Sequence, residues 1–428
     1  MARRQAWDRG DRAAGPDLMF RAVQDAVVPE QFGAVLVLEP RGEVDLRAAV
    51  SVLGERAGRV PRLRQRLTGR WPGWARAVWT DDPGYRPERH VEQVVCPSPG
   101  DERALLGLAA QLVVRRLPVD RPLWRATFVT GLAGGRLALI LVIQHALADG
   151  IGGLAVLGAL VDEAGADDAR APVPDPDRPP DRPGRGDRIG RAAACSLLRP
   201  TGPRRCVDVV GARLEDVLAA AHAHGATVND VLLAAVAGAL HATLEARGEH
   251  VPAVVVGVPV ADRRSAGTRS LGNRFREVRA ALPQADDPIE ELQTVASIMR
   301  ARKRSAMSPS ASRVASILVR MAVACGLYEP YMRRQRYLHT VVTNLAGPRR
   351  QRHFCEMPII EALPLSVGGG GNVTVTFAAL SYAGTLAVTV TVDPDTVPDR
   401  GRLTRAVQTE LDSLTGARPG GGRSLLPT

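Results

Sequence analysis

The stretch that most constrains this chain is LALILVIQHALADGIGGLAVLGALV, residues 137–161, in which a continuous apolar run delivers a histidine to an Asp-Gly break. The run from Leu137 to Ile143 is short and rich in Leu, Ile and Val, which suits a strand covered on both faces rather than a half-exposed one. His145 therefore belongs at the end of a central strand, among Ile143, Ala146 and Leu147. Partial desolvation there disfavours the imidazolium and keeps a neutral imidazole available near pH 7, the form that accepts a proton. Asp149 stands where a helix is expected to start near Gly150, and its carboxylate can pair locally or hydrogen-bond the backbone N–H groups of the first turn. Its expected job is to fix the turn. Gly150, Gly152 and Gly153 lack a Cβ and let that helix begin close against the strand.

HxxxDG has only three fixed positions, and it gains specificity from its surroundings. Pro122, Leu123 and Trp124 stand upstream, followed by RATFVTGL. The two motifs, with a strand between them, resemble the bacterial wax ester synthase/diacylglycerol acyltransferase family. Its pattern is HHxxxDG preceded by PLW and a Gly-Leu turn, and its relatives include chloramphenicol acetyltransferase and peptide-synthetase condensation domains. The resemblance continues in order through TVNDVLLAAVAGAL (227–240), LGNRFREVRAALP (271–283), VVTNLAGP (341–348) and GNVTVTFAALSYAGTLAVTVTVDPDTVPD (371–399).

The resemblance implies an α/β fold of two chloramphenicol acetyltransferase-like sandwich lobes with an active-site tunnel between them. It implies O-acyl transfer from a fatty acyl-CoA to a hydroxyl acceptor, diacylglycerol or a long-chain alcohol, with acyl-CoA as co-substrate and no other cofactor. His145 and Asp149 are the catalytic pair it carries over, His145 as general base. Gln144 replaces the first histidine of the family's doublet. On an alternating strand Gln144 and His145 point to opposite faces, so Gln144 is expected to tune packing or the acceptor side. Gly150, Pro122, Leu123 and Trp124 are motif positions with a packing role, Trp124 as an anchor. Asn229 and Asp230 match the family's Asn-Asp motif. Thr227 with Asp230 three residues on also forms a capping pattern, which favours a helix-start or interlobe role over direct catalysis. Asn273, Thr343 and Asn344 are candidates for binding the oxyanion or substrate, and for Asn273 a plain turn-satisfying role stands as the alternative. Two rival functions are an enzyme acylating a specialised metabolite and an inactive acyl-binding homologue.

Composition bounds the rest. The Pro, Asp, Arg and Gly density after residue 165 predicts an exposed linker over 166–200, dividing lobes at 1–165 and 201–415 and leaving a disordered tail at 416–428. Five cysteines with no CxxC pair argue against a disulfide framework or a zinc site, and no other metal site is expected. With no apolar h-region behind the basic N-terminus, a cytoplasmic location is expected. The net charge of +11 invites a nucleic-acid partner, but the arginines are scattered and no aromatic platform accompanies them, so no specific nucleic acid is expected. The charge suits the phosphates of a CoA thioester and peripheral contact with an anionic membrane or lipid-droplet surface. Gly368 to Gly371 lack a following Gly-Lys-Ser/Thr and a helix, so a phosphate loop is rejected and flexibility near an acyl channel is expected instead.

Overall fold

Two six-stranded mixed sheets carry the fold in the computed structural model, which describes residues 13, 15–23, 27–69, 77–162, 189–261, 275–304, 318–319, 321–368 and 370–417. The first sheet contains β1 (Gln31–Leu38), β4 (Val91–Val95), β5 (Trp124–Thr130), β6 (Leu137–Gln144), β11 (His353–Phe354) and β12 (Met357–Ser366), in the order β11-β12-β1-β6-β5-β4. A small ribbon of β2 (Gln65–Thr68) and β3 (Val78–Asp81) lies beside it. As the unbroken apolar run requires, β6 is buried along its whole length, between β1 and β5. The helices of this half are α1 (Gly15–Ala22), α2 (Leu46–Arg59), α3 (Pro61–Arg64), α4 (Glu102–Val114) and α5 (Gly150–Leu160). Asp45 caps α2 and Asp101 caps α4, each carboxylate accepting first-turn backbone N–H bonds.

The second sheet contains β7 (Cys206–Arg213), β8 (Val254–Ala261), β9 (Phe275–Leu282), β10 (Thr340–Ala346), β13 (Val375–Tyr382) and β14 (Thr385–Val392), in the order β7-β14-β13-β10-β8-β9. Around it stand α6 (Leu214–Ala223), α7 (Val228–Ala246), α8 (Pro288–Arg304), α9 (Tyr328–Met332) and α10 (Arg400–Thr415). Among the described residues α7 alone is long and apolar enough to cross a membrane, and it is mostly buried in the core of this lobe. β13 and β14 form a hairpin, with Ala383 and Gly384 both at positive φ in its two-residue turn.

The structure corrects the sequence-based organisation in three places. The lobes are not contiguous in sequence: β11 and β12, from within 201–415, complete the first lobe's sheet, where β12 pairs antiparallel with β1 from Phe32↔Ser366 to Leu38↔Ile359. Prolines 358 and 364 hid this strand, because a residue without an N–H argues against an interior strand position. Thr389 on β14 donates to the Pro364 carbonyl and so joins the two sheets, while within the first lobe Asp162 accepts backbone bonds from Cys355 and Glu356 in the β11–β12 turn and pairs with Arg56.

The linker expected at 166–200 is shorter than its composition suggests. Residues 189–200 are docked, with Ala192 and Leu197 fully buried, because the apolar residues thinly spread through this segment find cores to join. Residues 166–188 lie outside the described residues, as do Asn273 and 418–428 of the expected tail. Gly416 and Ala417 are ordered at the end of α10, where Gly416 forms a left-handed C-cap. The third correction concerns the glycine loop. Gly371 has φ +75° and a Cβ there would lie 2.3 Å from the Met332 carbonyl oxygen, so this glycine serves close backbone approach rather than flexibility.

Candidate active site

His145 is the first residue of the turn that leaves β6, which Leu147 closes by donating its N–H to the Gln144 carbonyl. β1 and β6 pair antiparallel with Gln31 opposite Gln144, and the ladder extends one step further: the His145 N–H donates to the Glu30 carbonyl at 3.0 Å. That register places Phe32 beside the imidazole, with ring centroids 4.5 Å apart. Phe20 of α1 stacks on the ring at 4.9 Å and an interplanar angle of 24°. Two aromatic faces therefore hold the imidazole plane and strip it of water. Burial drives its pKa down from 6.5 to about 4, against an opposing hydrogen bond with the Ala148 backbone. The ring is neutral at physiological pH, as the sequence predicts, and it still has partial access to the surface.

Gln144 fixes this arrangement. Its fully buried side chain donates from Nε2 to the Phe20 carbonyl at 3.0 Å, and its Oε1 accepts from the Ala146 N–H at 3.0 Å. The amide thus holds both the helix that supplies the stacking ring and the turn that carries His145. Its own N–H donates to the Leu123 carbonyl at 3.0 Å, which joins the PLW segment to the HxxxDG segment physically. Trp124 is a packing anchor: its indole N–H donates to the Leu63 carbonyl at 2.7 Å and its ring stacks on His90 at 4.5 Å. Pro122 supplies the carbonyl that turns the chain into Trp124.

Asp149 is the N-cap of α5, and its Oδ1 accepts from the Gly152 N–H at 2.8 Å. The helix does begin close against its neighbours. A Cβ on Gly153 would lie 2.4 Å from the Phe32 ring, and one on Gly150 would lie 3.2 Å from Leu345 of β10. Through Leu345 the second lobe reaches α5, and Leu345 lines a small apolar cavity of about 30 Å³ together with Phe32, Leu141, Leu157 and Leu380. Thr343 and Asn344 precede Leu345 on β10, half-buried, with the Thr343 hydroxyl 3.5 Å from the Phe377 carbonyl. Asn229 and Asp230 sit elsewhere in function: Thr227 and Asp230 form a reciprocal capping box at the start of α7, with Asn229 in that first turn.

Sequence reasoning missed Phe20, Phe32 and Glu30. None lies in a motif, and only the β1–β6 register brings the last two to His145. Burial holds the Glu30 carboxyl up at about 7, against the lowering influence of Arg205. Burial also pushes the Cys96, Cys195 and Cys355 thiols up, which leaves them poor thiolate nucleophiles. Among the described residues no cluster of three or more His, Cys, Asp or Glu side chains could hold a metal ion.

Two sheet-containing α/β lobes, with a desolvated, neutral histidine at the end of a central strand of the first and the second packed against the helix that follows it, make a chloramphenicol acetyltransferase-like fold. Comparison agrees. Residues 14–194 match the wax ester synthase/diacylglycerol acyltransferase catalytic domain and residues 271–415 match the C-terminal domain of the same family. The chain belongs to that family and is an O-acyltransferase. A Mycobacterium tuberculosis protein named as a probable diacylglycerol O-acyltransferase is 28% identical, covering 91% of this chain and 92% of that one. The wax ester synthase/diacylglycerol acyltransferase of Marinobacter aquaeolei superposes with a TM-score of 0.69 at 20% identity, covering 95% of this chain and all of that one. A starter condensation domain of rhizomide synthetase in complex with C8-CoA superposes at 0.62 with 14% identity over 95% of each chain. The last two likenesses are of fold.

Proposed function

We propose that the protein transfers a fatty acyl group from acyl-CoA to the hydroxyl of diacylglycerol or a long-chain alcohol, with His145 as the proton carrier. The observation that carries this reading is the neutral imidazole clamped between Phe20 and Phe32 beside the contact between the lobes. His145 takes the acceptor hydroxyl proton as that oxygen attacks the thioester carbonyl. The C–S bond breaks as the ester forms, and the imidazolium returns its proton to the departing thiolate, leaving an ester and free CoA. Proton and electron pairs balance without an acyl-enzyme, consistent with the absence of a GxSxG elbow. Asp149 and Gln144 are positioning residues, which hold the turn and the stacking ring.

The acceptor class is supported by the name of the Mycobacterium tuberculosis relative. Peripheral contact with an anionic membrane or lipid droplet, the surface where such acceptors reside, is supported by the net charge of +11. Incubating the purified protein with acyl-CoAs of graded length and with diacylglycerol, long-chain alcohols and hydroxylated small molecules, followed by mass spectrometry, tests the reading. Triacylglycerol or wax ester is the expected product. Esters of hydroxylated small molecules alone would replace the lipid acceptor with a specialised one.

A further inference from the structure

A second concave site lies away from His145, on the second lobe. It is an open cleft of about 720 Å³, large enough for a nucleotide, where Arg191, Arg279, Arg334 and Arg336 converge with Tyr331 and Tyr337. Arginine is abundant throughout this chain, so number alone means little. Elsewhere, guanidinium groups are commonly matched by carboxylates, as Arg56 is by Asp162, Arg247 by Asp399 and Arg400 by Asp208. Among the described residues, none of the four cleft arginines has a carboxylate within salt-bridge distance.

What holds them in place is backbone and aromatic contact instead. Arg279 lies with its guanidinium carbon 3.8 Å from the Tyr337 ring centroid and donates to the Gly190 carbonyl, and its buried Nε has no hydrogen-bond partner. Arg336 donates to the Ala192 carbonyl at 2.8 Å. Arg191 and Arg334 are exposed, and so are both tyrosine rings. Glu277, two residues before Arg279 on β9, is within electrostatic reach of Arg279 and Tyr337. Among the described lining residues the positive charges outnumber the negative. Unmatched planar cations beside exposed aromatic faces suit a ligand that combines several phosphates with a stacking base.

The cleft is also connected to the reaction site. The lining residues 330 and 331 belong to α9. The same helix places Tyr328 within electrostatic reach of Glu30, whose carbonyl receives the His145 N–H, and its Met332 carbonyl packs against Gly371. The helix that lines the cleft thus also lies near the residue that pairs with the His145 backbone.

We infer that this cleft binds the 3′-phosphoadenosine diphosphate end of coenzyme A, its arginines taking the phosphates and an exposed tyrosine face stacking the adenine, while the thioester end reaches toward His145. The inference rests on acyl-CoA being the donor. Calorimetric titration of the full chain with adenosine 3′,5′-bisphosphate, a probe that cannot react, separates the two. The wild type binds it, and Arg191→Ser/Arg334→Ser, which alters only exposed side chains, weakens binding at least about tenfold, or 1.4 kcal/mol. Arg279→Ala does the same, Glu277→Gln strengthens it, and circular dichroism of each variant matches the wild type. In turnover assays the arginine variants raise KM for acyl-CoA and not for the acceptor.

Unchanged affinity for the bisphosphate in these folded variants overturns the assignment, even where ester synthesis is confirmed. Arginine variants that lose only their adherence to phosphatidylglycerol vesicles, with bisphosphate binding intact, also overturn it, in favour of a lipid phosphate. Arginine-dependent bisphosphate binding in a protein that forms no ester from any donor and acceptor leaves the cleft assignment standing and removes the proposed reaction.

Discussion

Replacing Gln144 with leucine removes the amide while keeping an apolar side chain of similar length. Two buried backbone groups then lose their partners: the Ala146 N–H, held by Oε1 at 3.0 Å, and the Phe20 carbonyl, held by Nε2 at 3.0 Å. Leaving a buried polar group unsatisfied costs about 1–3 kcal/mol, so the pair amounts to about 2–4 kcal/mol after the gain from burying an apolar side chain. Histidine behaves differently. A neutral imidazole offers one donor and one acceptor, the same complement the amide uses here, so Gln144→His should cost less than about 1.5 kcal/mol and change turnover by less than about tenfold. Urea unfolding followed by tryptophan fluorescence reads the stability, and ester synthesis reads the activity. The leucine variant should lose both stability and turnover, since Phe20 no longer has a fixed place over the imidazole. A leucine variant as stable and active as the wild type refutes the positioning role.

With its pKa held at about 4, His145 should keep the acid limb of the kcat/KM profile near pH 4 instead of near 6.5. The unfolded chain binds this proton near pH 6.5, while the folded one binds it only near 4. The stability due to a neutral His145 is therefore full above pH 6.5 and declines as pH falls from there to 4, a slope that His145→Phe should remove from pH-dependent unfolding curves. Asp149→Ala should cost about 1 kcal/mol through loss of the α5 cap, whereas Asp149→Asn, which can still accept from Gly152, should retain most stability and activity. Gly153→Ala should depress turnover, because the new methyl, 2.4 Å from the Phe32 ring, displaces the ring that flanks His145; unchanged kinetics would argue against the clamp. Flotation with anionic and neutral vesicles should show adherence to the anionic ones alone, fading as salt is raised.

The parts of this architecture that depend on local pattern were readable in the sequence. The length and composition of 137–143 announce a covered central strand, and the Asp-Gly break places His145 at its end. Thr227 and Asp230 declare a helix start through side chains that cap their own backbone, and the structure shows that capping box. What was hidden depends on pairing between distant segments. Phe32 and Glu30 reach His145 only through the register of β1 on β6, which a linear reading does not supply. Phe20 arrives through a single hydrogen bond from Gln144 across more than a hundred residues of sequence. β12 crosses into the other lobe's sheet carrying two prolines, each of which argues locally against an interior strand. Gln144 is expected from its strand position to tune packing or the acceptor side, whereas its link to His145 by way of the Phe20 stacking ring is a tertiary fact.

The most direct test of the central claim is single-turnover ester formation by His145→Ala, compared with the wild type at pH 7 under saturating acyl-CoA and acceptor. The substitution removes the one neutral, desolvated base positioned between the two phenylalanine rings, and the account predicts that the rate falls by about two to four orders of magnitude while the circular dichroism spectrum is unchanged. A folded His145→Ala protein that forms ester within a few-fold of the wild-type rate would contradict it and place the proton transfer on another group.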